Sequence, residues 1–237
     1  MAFRLPGESE RRPPNVSRAK PGGHNLPATS QLSAFLNVPY DAAFQHLYLA
    51  YIAGLAAKGL TPRATLEIPG GVRRLDRILE LIATCRYSFH DLSRVEVDAR
   101  RPATPRFNMA FELGLVVAWE RSHPNGEYHW FVFESKERRV LKSLSDLGGT
   151  DVYGHGGTVK GVFRQLGNAL VRIERQPSVQ DMQFVYDRLR KALPGLLKRT
   201  AGRTVFEANA FKELVMLATE LSNERMGPKP TTHPAAD

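Results

Sequence analysis

SAFLNVPY, Ser33 to Tyr40, runs directly into DAAFQHLYLAYIAGLAAKGL, Asp41 to Leu60, and this junction decides the fold class. The first piece is a short apolar run of strand length. The second opens on an Asp suited to an N-cap and carries apolar residues at helical spacing. A strand followed at once by a helix of this length is one half of a crossover unit.

The same alternation continues outward. ATLEI (Ala64 to Ile68) reads as a second strand, and after PGG the segment VRRLDRILELIATC places Val72, Leu75, Ile78, Leu79 and Ile82 on one helical face. YSFHDLS (Tyr87 to Ser93) reads as a third strand with its loop, PRFNMAFELGLVVAWERS (Pro105 to Ser122) as a helix, and YHWFVFES (Tyr128 to Ser135) as a fourth strand. KERRVLKSLSDL and a glycine-rich loop, GGTDVYGHGGT (Gly148 to Thr158), lead to a helix over Val159 to Ile173. Strands separated by such helices predict a parallel sheet covered on both faces. Two more helices, near Val179 to Leu193 and Val205 to Ser222, predict a small C-terminal helical extension.

The 237 residues, 42% of them hydrophobic, suffice for one substantial core with appendages. Residues 1–31 combine Pro, Gly, Ser and basic side chains and read as a disordered basic arm; residues 226–237 read as a second polar tail. A formal charge of +9 and a pI near 9.9 favour anionic partners by long-range attraction. The single cysteine, Cys85, excludes an intrachain disulfide and a zinc site built on several thiolates. No apolar run reaches the roughly 20 residues needed to span a bilayer, so a cytoplasmic protein away from membranes is expected.

In open parallel sheets ligands bind beyond the carboxyl ends of the strands. That rule selects Asn37, Pro39 and Tyr40 after the first strand, Pro69, Gly70 and Gly71 after the second, and Asp91 and Ser93 after the third. The start of the following helix adds Arg106, Asn108 as an expected N-cap, and Glu112. Glu112 is an acid on an otherwise apolar helix face, followed one turn later by Leu115 and Val116 and two turns later by Trp119. Such a carboxylate can face an oxocarbenium-like sugar carbon as an N-glycosidic bond breaks. The structural alternative is that it caps its own helix or pairs with Arg94 or Arg106. Arg100 and Arg101 precede this helix and suit a pyrophosphate, whereas Arg73, Arg74 and Arg77 read as a solvated helix face. His90 reads as a hydrogen-bonded structural histidine, His155 as a loop residue lacking a fixed partner, and Cys85 as a packing residue. IPGG and GGTDVYGHGG match neither GxGxxG nor GxxxxGK[ST] and are read as turns.

The run LIATCRYSFHDLSRV followed by PRFNMAFELGLVVA resembles the strand, loop and helix of bacterial TIR-like nucleotide-binding proteins and of nucleoside 2-deoxyribosyltransferases. The residues that carry the likeness are Asp91, Asn108, Phe111, Glu112, Leu113 and Gly114; it is sharp across DLS and FNMAFELG, and SLSDLGGTDVYGHGGTVKGVFRQLGNAL adds to it. The aromatic-rich opening of that group is replaced by AFLNVPYD.

The resemblance implies an α/β, flavodoxin-like (TIR-like) doubly wound parallel sheet over residues 32–175, with the helical extension at 176–225. It implies an N-glycosidase acting on NAD or a related nucleotide or nucleoside, with Glu112 as the catalytic residue and Asp91 and Asn108 orienting the ribose. NAD would be a consumed substrate, with no other cofactor and no metal, and bacterial antiphage defence is the setting suggested by analogy. The alternative from another class is a noncatalytic nucleotide sensor or adaptor that signals to a partner, either a second copy or another protein. A nucleic-acid partner is not expected, because no helix-turn-helix, zinc knuckle or stacking motif accompanies the basic arm.

Overall fold

The computed structural model describes residues 32–67, 71, 73–94, 107–124 and 128–228. Among these residues five strands form one parallel sheet: β1 (Ser33–Asn37), β2 (Thr61–Arg63), β3 (Tyr87–Asp91), β4 (His129–Glu134) and β5 (Val152–Gly154). Their order is β2-β1-β3-β4-β5, the flavodoxin-like doubly wound arrangement. Helices α1 (Gln45–Ala57) and α5 (Val159–Ala169) cover one face, and α2 (Arg74–Thr84) and α3 (Asn108–Ser122) the other. A four-residue α4 (Val140–Ser143) sits between β4 and β5, and the chain ends in α6 (Val179–Arg199) and α7 (Ala208–Met226).

Helix α1 is buried continuously from Leu47 to Ala57. It lies between the sheet residues Ala34, Leu36, Phe89 and Phe133 and the apolar faces of α5, α6 and α7. A helix enclosed this way has to be apolar all round, which is why its sequence carries no polar stripe. Each large side chain so enclosed stabilises the fold by about 1.5–3 kcal/mol. The expected C-terminal extension therefore shares its core with the sheet domain: Met182, Val185 and Leu189 of α6 and Phe211 and Leu214 of α7 belong to the same cluster as α1. The opposite face is thinner, with Phe35 of β1 against Ile78, Leu81 and Ile82 of α2 and Val116 of α3.

Several boundaries differ from the sequence expectation. The second strand is Thr61–Arg63, because Ser33, Ala34 and Phe35 pair with Thr61, Pro62 and Arg63. Thr65–Glu67 instead forms a 3-10 turn in which Glu67 accepts from the Ala64 amide at 2.7 Å. The glycine-rich loop contains β5, three residues paired with Val132, Phe133 and Glu134. Helix α6 runs past Leu193 to Arg199 through Pro194, since burial of Leu193 and Leu196 outweighs the backbone bond that proline cannot donate. The expected Asp41 cap is present, with Oδ1 accepting from the Phe44 amide at 3.0 Å at the turn that leads into α1. The N-terminal arm at 1–31 lies outside the described residues, as does the tail beyond 228. Among the described residues no helix is long and apolar enough to cross a membrane.

Candidate functional site

Strand β1 lies between β2 and β3, so the chain leaves its carboxyl end toward one side of the sheet and returns to the other. At such a switch point diverging connections leave a crevice. Here it is a hollow of about 470 Å³, floored by the end of β1 and the following residues through Tyr40, and walled by Thr65, Arg74 of α2 and Asn108, Met109 and Glu112 of α3.

Glu112 forms part of this wall and is 3% exposed. Burial pushes its carboxyl group above the ordinary 4.5, while the Arg74 guanidinium pulls the other way. Arg74 Nη2 stands 3.4 Å from Glu112 Oε1, and the arginine side chain is 59% exposed. A strong charged hydrogen bond is nearer 2.7–2.9 Å, so this is one loose contact, not a bidentate clasp. The alternative pairing with Arg94 is absent: Arg94 Nη2 lies 3.4 Å from Asp41 Oδ1.

Asn37 is buried at the end of β1, where its amide nitrogen donates to His90 Nδ1 at 2.9 Å and to the Met109 carbonyl at 3.4 Å. It thus ties the floor to the first turn of α3. With Nδ1 accepting, the His90 proton sits on Nε2, 3.0 Å from Ser88 Oγ. Burial holds this imidazole down to about 3, so it is neutral and structural. Tyr40 turns its ring into the core, 6.2 Å from Tyr48 and 5.7 Å from Phe206 between ring centres. Burial pushes its hydroxyl up to about 12 against the effect of a hydrogen bond with Thr65. The phenol is therefore a neutral hydrogen-bonding group at the hollow.

Asn108 lines the hollow as the first residue of α3; the N-cap is Phe107, which makes no side-chain capping bond. The expected cap is displaced by one residue because Phe107 already has helical backbone angles, with φ −85° and ψ −13°. Phe107 and Phe111 are largely exposed beside it.

Asp91 and Ser93 do not line this hollow. Side chains alternate along β3, so His90 points toward α2 and α3 while Asp91 points toward α1. Asp91 is fully buried: Oδ2 accepts from the Tyr51 hydroxyl at 2.7 Å and faces His155 Nε2 at 3.0 Å, and Oδ1 accepts from the Ser93 amide at 2.9 Å. Asp91, expected at the ribose, is thus engaged by Tyr51, His155 and Ser93 on the α1 side of the sheet, away from this hollow. His155 has the fixed partner that its sequence context did not reveal. Its Nδ1 accepts from the Gly157 amide at 3.1 Å, which puts the proton on Nε2. That nitrogen is also 3.3 Å from Ser93 Oγ. With its proton directed at Asp91 and its lone pair taken by a backbone amide, this imidazole cannot serve as base to the serine.

Gly71 is exposed and does not line the hollow. Gly70, Arg100, Arg101 and Arg106 lie outside the described residues, as does Pro69. Cys85 is fully buried and its thiol is pushed up to about 12, leaving no reactive thiolate. Sequence reasoning missed Arg74 and Thr65. Arg74 was read as part of a solvated helix face; its place at the hollow follows only from the fold, in which it opens α2 and lines the same hollow as the start of α3. Among the described residues no group of three or more His, Cys, Asp or Glu side chains is placed to hold a metal ion.

No protein-family model, curated protein or solved structure matches the chain.

Proposed function

We propose that the protein cleaves the N-glycosidic bond of NAD or a related nucleotide or nucleoside, with Glu112 as the catalytic residue. One observation carries this reading: a buried carboxylate on the wall of a nucleoside-sized hollow, at the switch point of a doubly wound sheet. In the reaction the bond from the anomeric carbon to the base nitrogen breaks, and the electron pair leaves with the base. Positive charge grows on the sugar carbon and ring oxygen. The Glu112 carboxylate stabilises that charge or attacks the carbon, and water or an acceptor base completes the transfer. Asn37, Tyr40, Thr65 and Asn108 are the neutral polar residues that line the hollow where sugar hydroxyls would lie. NAD is a consumed substrate in this scheme and not a recycled cofactor.

The likeness of DLS and FNMAFELG to TIR-like and deoxyribosyltransferase sequences supports the same residue. Service in bacterial antiphage defence rests on that likeness alone and forms the outer part of the proposal. The contact with Arg74 is what favours the noncatalytic alternative, because a paired carboxylate can also be a fixed wall of a nucleotide sensor.

Purified protein incubated with NAD and with purine and pyrimidine nucleosides decides between them. Release of free base by the wild type, reduced about 100-fold or more in Glu112→Gln, is the expected result. Binding without release, equal in the two proteins, would establish the sensor instead.

A further inference from the structure

The hollow contains one acid and one base among its described lining residues, Glu112 and Arg74, and they face each other. Their environments are unequal. Glu112 is enclosed by its helix and the end of β1, whereas more than half of the Arg74 side chain is open to solvent and only Nη2 reaches the carboxylate. An exposed guanidinium held by one 3.4 Å contact can change partners at little cost. The buried acid on the helix wall does not follow it.

Arg74 is also the first residue of α2, and the hollow is bordered by the first turns of both α2 and α3. Neither helix has a side-chain cap. The positive ends of the two helices add to the guanidinium charge on this side of the hollow.

Resting on the glycosidase reading, we propose that Arg74 determines substrate class: it exchanges Glu112 for the phosphate of an incoming substrate, so that the site prefers nucleotides to nucleosides. The charges balance through the exchange. In the free protein Glu112 and Arg74 neutralise each other. In the complex the phosphate takes the guanidinium, whose planar fork matches phosphate oxygens. The carboxylate is then left facing the ribose carbon, where cationic charge resides or develops. A ligand with no phosphate leaves the arginine on the acid, and Glu112 meets the sugar already partnered.

Nicotinamide riboside and nicotinamide mononucleotide isolate the effect, since they share one glycosidic bond and differ by a 5′-phosphate. Binding and nicotinamide release are measured for both with wild type, Arg74→Gln, Arg74→Lys and, as a control on an exposed neighbour that does not line the hollow, Arg73→Gln. The wild type and Arg73→Gln are expected to favour the mononucleotide at least tenfold. Arg74→Gln should collapse that ratio to below threefold, and Arg74→Lys should keep part of it. A tenfold preference that survives Arg74→Gln overturns the inference, as does equal use of the two ligands by the wild type; either result leaves the glycosidase reading standing. If the wild type neither binds nor cleaves either compound, or NAD, both fall together.

Discussion

The Tyr51 hydroxyl donates to Asp91 Oδ2 at 2.7 Å, joining the middle of α1 to the carboxyl end of β3 in a region where both side chains are fully buried. The same carboxylate is met by His155 from the loop after β5 and by the Ser93 amide. One acid therefore ties α1 and the loop after β5 to its own strand end. A hydrogen bond to a charged acceptor contributes about 1.5–3 kcal/mol, and leaving that acceptor short of a donor costs a similar amount. Tyr51→Phe should accordingly lower unfolding stability by about 1–3 kcal/mol. Urea melts would read this as a shifted midpoint with an unchanged slope. An unaltered midpoint would mean that the network is not what holds α1 to β3.

Glu112 predicts a pH effect of definite sign. Burial raises its folded-state pKa above the ordinary 4.5, so between 4.5 and the raised value the folded protein binds more protons than the unfolded chain. Stability is then complete below 4.5 and falls as pH rises through the folded value. Glu112→Gln removes the ionisation. The variant should melt above wild type at pH 7 to 8, with the gap closing toward pH 4. A variant less stable than wild type at neutral pH would show that Arg74 contributes more than burial costs.

His90 gives the opposite trend. Its folded value of about 3 lies below the ordinary 6.5, so the unfolded chain takes up a proton first as pH falls. The stability this neutral ring provides is present above 6.5 and is lost progressively toward 3. The steepest slope is about 1.4 kcal/mol per pH unit for one proton. His90→Gln should be less stable at pH 7.5 and flatter between pH 6.5 and 4. Parallel stability curves for the two proteins would place the acid sensitivity elsewhere.

Gly161 lies in the first turn of α5, directly under the loop that carries His155. A Cβ there would stand 1.9 Å from the His155 carbonyl oxygen and 2.7 Å from its carbon, both backbone atoms. The loop or the helix must shift to admit it. Gly54 in α1 is the informative contrast, because its added Cβ would meet chiefly the tip of Leu166, at 2.5 Å, which can rotate. Gly161→Ala should cost about 3 kcal/mol or more, and Gly54→Ala about 1–3 kcal/mol. Thermal melts of the two variants side by side test the order.

The crossover pattern was legible because α2 and α5 carry apolar residues at helical spacing, while β1, β3, β4, α1 and α3 are apolar runs whose lengths separate strand from helix. Strand β5 was not, since three residues bounded by glycines present no period; it becomes a strand only by pairing with β4. Strand β2 is equally short, and its ladder with β1 fixed Thr61–Arg63 over the more apolar Ala64–Ile68. In the candidate site, Glu112, Asn37, Tyr40 and Asn108 were found from their positions at strand ends and a helix start, and all four line one hollow. Asp91 was chosen by the same rule and went to the other face, because adjacent strand residues point in opposite directions and His90 took the side of α3.

The sequence by itself determined the alternation of strands and helices, the all-round apolarity that commits α1 to the interior, and the placement of one acid near the start of α3. Only the tertiary structure decided the partners: Arg74 for Glu112 across 38 residues of chain, and Tyr51 and His155 for Asp91 across 40 and 64. The reason is physical. Periodicity records which face of an element is buried, but partners so distant in the chain meet only after the strands have taken their order in the sheet, and that order is set by packing between elements that no local window contains.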